Sequence, residues 1–265
     1  MKKDRWKRKC MLCMLPSILG TLIFFVVPYF RMVYYSLLDN QFRRNFVGLR
    51  NYIKVVKNQY FLLASKNSIL LILIGVPVLV VTAIILSLFI RFYLEESRWK
   101  WIRYAFILPM FLPTAAVSLI WRELFSEAST ALPVYTLYWW KNMGISIILL
   151  VSAFSSVNPE ILQSAKIDGA GNIKRHIFIT LPMNMPIIIF VTLLGIVNSF
   201  RIFKESYLFY GNHYPPDYSY TLQYYINNNF YKLNYQILSS SAIITSLYIA
   251  LLVFVFLKWQ KRYQY

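Results

Sequence analysis

Apolar residues in this chain fall into six blocks, at about residues 11–30, 69–90, 104–125, 134–157, 186–209 and 242–259. A helix needs about 20 apolar residues to cross a hydrocarbon core roughly 30 Å thick, and each block approaches or exceeds that length. The fold class this pattern predicts is all-α: a polytopic membrane protein of about six transmembrane helices, with residues 1–265 forming one transmembrane domain. No soluble domain, repeat or low-complexity tract interrupts it. Pro77 falls in the second block, and Pro109 and Pro113 fall in the third. Proline removes a backbone donor, so each marks either a bend around a pathway or a proline tolerated because neighbouring groups satisfy the backbone. The fourth block opens in an aromatic stretch, 135–140, that suits the lipid headgroup region.

The longest polar stretch between blocks that carries its own helical pattern is 158–182. Asn158 and Pro159 form a helix start, because Asn accepts a bond from a first-turn amide and Pro needs no donor at the first helical position. Glu160 follows at the positive end of the helix dipole, and Ile161, Leu162, Ala165 and Ile167 give an incomplete apolar face. Gly169 stands where the chain needs positive φ to leave the helix. Asn172 is expected to cap a second short helix through Lys174, Arg175 and His176, which Thr180-Leu181-Pro182 ends before Pro186 opens the fifth span. A simple return to the bilayer needs only a short turn. Two helices and a sharp glycine turn at the membrane surface imply a partner that grips them.

Composition agrees with a membrane class. Soluble domains carry roughly a quarter charged residues; here 14% are charged, 58% are hydrophobic and 18% are aromatic. The formal charge of +18 sits at the ends of apolar blocks, beside lipid headgroups, which excludes nucleic acid as the natural partner. Placing the N-terminus inside puts residues 1–9, 91–103, 158–185 and 258–265 on the cytoplasmic side with 16 of the 28 Lys and Arg. That bias is in the right sense but modest, because Arg43, Arg44, Arg50, Lys54, Lys57 and Lys66 lie in the first outer segment. Cys10 and Cys13 are spaced C-x-x-C without a second pair or nearby His, so they read as interfacial thiols rather than a redox or metal site. The first block is long and lacks a small-residue cleavage site, so it reads as a retained helix rather than a signal peptide.

The loop resembles the cytoplasmic signature loop, or EAA loop, of binding-protein-dependent ABC importer permeases. That family's form is Glu-Ala-Ala, two residues, Asp-Gly-Ala, then a stretch ending Ile-Thr-Leu-Pro. Here Gln163-Ser164-Ala165 stands for the first block, while Asp168-Gly169-Ala170 and Ile179-Thr180-Leu181-Pro182 match in full and at the same spacing. Phe46-Val47-Gly48-Leu49-Arg50-Asn51-Tyr52, Leu108-Pro109, and Trp121 with Leu124-Phe125 are similar to the sugar-type branch, the MalF-like, lactose or glycerol-phosphate permease group. Two positions depart from the pattern. Gln163 replaces the family's first Glu, and His176 stands where an aromatic residue is usual. Both bear on the strength of coupling more than on identity.

The resemblance implies a permease subunit of an ATP-driven importer, carrying a sugar or related carbohydrate across the bacterial cell membrane, with both termini cytoplasmic. It makes 158–182 a cytoplasmic coupling-helix loop in which Glu160, Gln163, Ser164, Ala165, Asp168, Gly169 and Ala170 meet a cytoplasmic ABC ATPase dimer. The implied partners are a second permease subunit in a heterodimer and an extracytoplasmic solute-binding protein docking on 39–66 and 212–238. No cofactor and no metal is expected. The chain has no Gly-x-x-x-x-Gly-Lys-Ser/Thr loop, so ATP hydrolysis falls to a separate subunit. Intramembrane polar groups are pathway candidates by default, which singles out Asn198, Ser199 and Arg201 in the fifth block, with Tyr104 and Trp121 flanking the third. The aromatics also fit a plain role as interfacial anchors. An ion-coupled secondary transporter is the rival, but it calls for paired acids within spans, and the acids here sit in loops or at span ends. A membrane-embedded enzyme fits worse, since His176 and His213 fall on opposite sides.

Overall fold

The computed structural model describes residues 13–40, 42–94, 102–211 and 215–260. The basic residues 1–9, Cys10, most of the second loop, His213 and residues 261–265 lie outside them. In chain order the helices are α1 (Cys13–Ser36), α2 (Arg50–Val56), α3 (Gln59–Phe92), α4 (Ile102–Ile107), α5 (Thr114–Leu124) and α6 (Leu132–Ser155). They continue with α7 (Pro159–Ile167), α8 (Asn172–Met183), α9 (Met185–Phe200), α10 (Phe203–Tyr210), α11 (Leu222–Tyr231) and α12 (Tyr235–Gln260). Among the described residues there is no strand, only an isolated antiparallel bridge between Leu38 and Phe46. The fold is all-α, and α1, α3, α6 and α12 are each long and apolar enough to cross a membrane. Helices α8 and α9 together form a further unit of that kind, bent by 74°.

The apolar blocks and the helices differ in instructive ways. Block 104–125 is not one helix. It breaks into α4 and α5 across a 3₁₀ turn at Leu108–Met110 and an extended Pro113 (φ −58°, ψ 131°). Two prolines four residues apart remove two donors from one turn, and the chain leaves the helix there. Block 186–209 likewise divides into α9 and α10 at Arg201 and Ile202. Helix α3 extends ten residues ahead of its apolar block, because the polar residues Ser65, Asn67 and Ser68 in that lead-in are buried.

Pro77 does not break α3. The helix instead widens to an i→i+5 turn over Leu71–Gly75. The same widening occurs at Leu22–Val26 before Pro28 and at His176–Thr180 before Pro182, each turn ending two residues ahead of its proline. A proline ring collides with the carbonyl four residues back and cannot donate to it. In the wide turn the residue before the proline donates five back instead: Val27 to the Leu22 carbonyl, and Leu181 to His176. The helix stays continuous with one local bulge.

The chain forms two compact units. The first holds residues 1–59 and 226–247. In it, the Asn51 amide donates to the carbonyls of Ser36 (2.9 Å) and Leu38 (2.7 Å), and the Tyr52 hydroxyl shares a 2.7 Å hydrogen bond with Ser36. The Phe-x-Gly-Leu-x-Asn-Tyr motif therefore ties the end of α1 to α2, with Gly48 at φ +57° supplying the reversal between them.

The second unit holds 60–225 and 248–265. Its core is built where α3, α6 and α9 meet, around Leu79, Ala83, Tyr138, Ile147, Leu150, Val191 and Ile196. Small residues allow the approach: a Cβ on Gly195 meets Val76 Cγ1 at 3.2 Å and the Tyr138 hydroxyl at 3.3 Å. That hydroxyl donates to the Gly195 carbonyl at 2.8 Å. Asn67 in α3 donates to the carbonyls of Asp217 (2.6 Å) and Tyr220 (2.9 Å), which pins the segment before α11. Gly195→Val should cost about 1–3 kcal/mol by overpacking, and Tyr138→Phe only about 0.6 kcal/mol for one interhelical hydrogen bond. Denaturation of the purified protein in mixed micelles measures both; equal losses would contradict this ranking.

Candidate functional site

The loop between α6 and α9 is set by local chemistry at each of its turns. The Asn158 side chain accepts from the Glu160 amide at 3.0 Å, and Pro159 occupies the first helical position of α7. Leu162 is buried, whereas Ile161 and Ile167 are exposed. At the other end of α7 the Ala170 amide donates to the Ala165 carbonyl at 2.9 Å and the Gly169 amide to Lys166 at 3.1 Å, with Gly169 at φ +82°. This pair of bonds is a Schellman closure, which satisfies the last carbonyls of a helix and turns the chain sharply. The signature residues Ala165, Gly169 and Ala170 are thus three of the four positions that the closure uses, with Lys166 the fourth.

Two expectations are corrected here. Asn172 does not cap α8. Gly171 holds the cap position in extended backbone (φ −64°, ψ 163°) without a side-chain bond, and the Asn172 side-chain Oδ1 instead accepts from the Arg175 guanidinium. Arg175 also reaches the Leu162 carbonyl at 3.4 Å, joining α8 to α7. Nor does Pro182 end α8, which runs on to Met183; the bend falls at Asn184 (φ −107°, ψ 15°), whose amide donates to Thr180 at 2.8 Å. Glu160, Gln163, Ser164, Asp168 and Gly169 are exposed, while Ala165 and Ala170 are partly buried within the turn. Ile167 is 86% exposed, Ile173 74% and Phe178 73%, so the loop presents bare apolar side chains beside its polar ones. His176 lies against Phe92, with ring centres 4.5 Å apart.

A second site lies in the other half of the α6–α9 pair. A cavity of about 450 Å³ is lined by Lys141 and Asn142 of α6, Asn198 of α9, and Arg201, Lys204 and Glu205 around the break before α10. Lys141 Nζ pairs with Glu205 at 2.7 Å and also donates to the Thr114 hydroxyl. The Asn198 amide donates to Asn142 at 2.8 Å. Of the three pathway candidates, Asn198 and Arg201 meet here, and Ser199 does not: it is buried and donates to Ile196 in its own helix at 2.7 Å. Tyr104 and Trp121 are not in the cavity lining; Trp121 packs on Trp140 at 4.9 Å and donates to Thr136 at 3.1 Å. Sequence reading missed Lys141, Asn142 and Glu205. A lysine within an apolar block was the available signal, masked by the aromatic stretch just before it.

Comparison with known proteins places this architecture. The family model for the binding-protein-dependent transport system inner membrane component matches residues 68–264. The chain belongs to that family, and it is a multi-pass membrane permease of a transport system. It is 29% identical over 244 residues to the arabinooligosaccharides transport system permease protein AraP of Bacillus subtilis (strain 168), covering 80% of this chain and 75% of that one. It is 25% identical over 240 residues to the lactose transport system permease protein LacF of Rhizobium radiobacter, covering 80% of each. The fold also matches a chain from the crystal structure of a bacterial ABC transporter involved in the import of the acidic polysaccharide alginate. There the TM-score is 0.79 at 21% identity over 99% of this chain and 98% of that one.

The ion pair yields a test of the second site. Lys141→Met leaves Glu205 without its cation in an apolar setting and should cost about 2 kcal/mol, less than a fully buried pair, because both side chains keep some solvent contact. Adding Glu205→Gln should recover part of that loss in mixed-micelle denaturation. A double variant as unstable as the sum of the singles would show that the two side chains do not interact.

Proposed function

We propose that this chain is the permease subunit of an ATP-driven importer of a carbohydrate, one permease domain forming half of the translocation pathway. The named relatives carry arabinooligosaccharides and lactose, which favours a sugar or sugar derivative. In this reading residues 158–182 face the cytoplasm, with both termini on the same side. Glu160, Gln163, Ser164, Ala165, Asp168, Gly169 and Ala170 form the coupling element on a separate ABC ATPase dimer. A second permease completes the pathway, and a solute-binding protein delivers substrate on the opposite side, as a periplasmic protein does in a solved alginate transporter complex of similar fold.

The observation that carries the proposal is the loop itself: a capped helix, a Schellman turn at Gly169 and a second helix that presents exposed Ile167, Ile173 and Phe178. Such an element is short and stiff. It joins α6 through the short link 156–158 at one end and α9 through the bend at Asn184 at the other, so force applied to it reaches both helices. Exposed apolar side chains at a loop suit a partner that covers them.

Gly169→Pro tests this directly. Proline cannot adopt φ +82° and lacks the amide that donates to Lys166. ATP-dependent uptake by the assembled transporter should fall at least tenfold, with membrane insertion retained and the ATPase lost from pull-downs of this chain. Gly169→Ala, which meets no atom within 4 Å but must still hold positive φ, should show a milder loss. Native uptake in the proline variant would sink the coupling reading.

A further inference from the structure

The cavity beside α6 and α9 carries more positive charge than its own walls neutralise. Four charged side chains line it: Lys141, Arg201, Lys204 and Glu205. Lys141 and Glu205 satisfy each other at 2.7 Å. Among the described residues, Arg201 and Lys204 have no carboxylate partner, and Glu205 is the only acid in the lining. Three cations against one anion leave the cavity net positive. The orientation rule does not account for this, since it enriches Lys and Arg in cytoplasmic loops and these residues lie at the opposite ends of the spans from the 158–182 loop. Arg201 and Lys204 are both exposed, so each is accessible to an anion entering the cavity. Beside them, Asn198 spends its amide on Asn142 and keeps its carbonyl oxygen as an acceptor for a hydroxyl.

We propose that this cavity takes a carbohydrate bearing an anionic group, a carboxylate or a phosphate, with Arg201 and Lys204 holding the charge and Asn198 a hydroxyl. The inference rests on the carbohydrate-permease reading above and narrows its substrate class. The ion pair with Lys141 keeps Glu205 from repelling the incoming anion. Arg201 presents a planar fork that matches either group with two parallel hydrogen bonds, and Lys204 adds a point charge.

The test uses the whole transporter, purified with its partner subunits through a tag on this chain and reconstituted in proteoliposomes with its binding protein. Three labelled oligosaccharides of equal length serve as probes: one neutral, one containing a uronic acid, one phosphorylated. ATP-driven uptake of one anionic probe should exceed that of the neutral probe at least tenfold, and which one separates a carboxylate from a phosphate. Arg201→Gln with Lys204→Gln should lower anionic uptake tenfold or more, and the charge-conserving Arg201→Lys with Lys204→Arg should retain most of it. Preferred uptake of the neutral probe, insensitive to the glutamine pair, overturns the charge inference and leaves the carbohydrate permease standing. An equal loss of neutral and anionic uptake in the glutamine pair also overturns it, assigning the cations to docking or assembly. Failure to transport any probe with ATP overturns the carbohydrate reading and this inference together.

Discussion

The close approach of α6 and α9 is the constraint on which both sites depend. Gly195 brings the two helices within reach of a single hydrogen bond from Tyr138, and a side chain at that glycine would meet Val76 of α3 as well. In a bilayer no hydrophobic force drives helices together, so close packing and a few interhelical bonds must hold them. The loop 158–182 connects one end of this pair, and the charged cavity lies towards the other. On the proposed reading, the pair acts as a lever with a handle at one end and a polar mouth at the other. A change in its tilt reaches both.

The second organising constraint is backbone satisfaction in hydrocarbon. Every N–H and C=O in a span needs a partner within the protein, and proline removes one of them. The chain resolves this in two ways. Single prolines at 28, 77 and 182 are each absorbed by one wide turn, so the helix runs on. The pair Pro109 and Pro113 acts within one turn, and the helix breaks instead. The break also shapes the cavity indirectly, because α5 begins at Thr114, whose hydroxyl accepts from Lys141.

Much of this was legible in the sequence because its causes are local. The apolar blocks at 11–30, 69–90, 134–157 and 242–259 gave the approximate place of the four long helices, though not the breaks in the other two blocks, and the cap at Asn158 and the turn at Gly169 follow from residues a few positions apart. What escaped reading depends on distant partners. Nothing near Lys141 in sequence announces Glu205, which is 64 residues away, and Asn67 finds its carbonyl partners 150 and 153 residues on. The two misplaced helix limits have the same origin. Asn172 looks like a cap, but Gly171 reaches extended backbone ahead of it, and Pro182 looks like a stop until the wide turn before it is seen.

The substitution at position 163 bears on how such a loop is held. Gln163 lines a cavity of about 530 Å³ together with Arg91, Lys166, Arg175 and His176, a basic set to which a carboxylate at 163 would add the opposite charge. Electrostatics at exposed sites contributes little and is screened by salt, whereas apolar side chains removed from water contribute in proportion to their area. Ile167, Ile173 and Phe178 are the most exposed apolar side chains on α7 and α8. On the proposed reading, the grip of the partner on this loop rests on those three side chains, and the missing acid alters the charge it must present far more than the strength with which it binds.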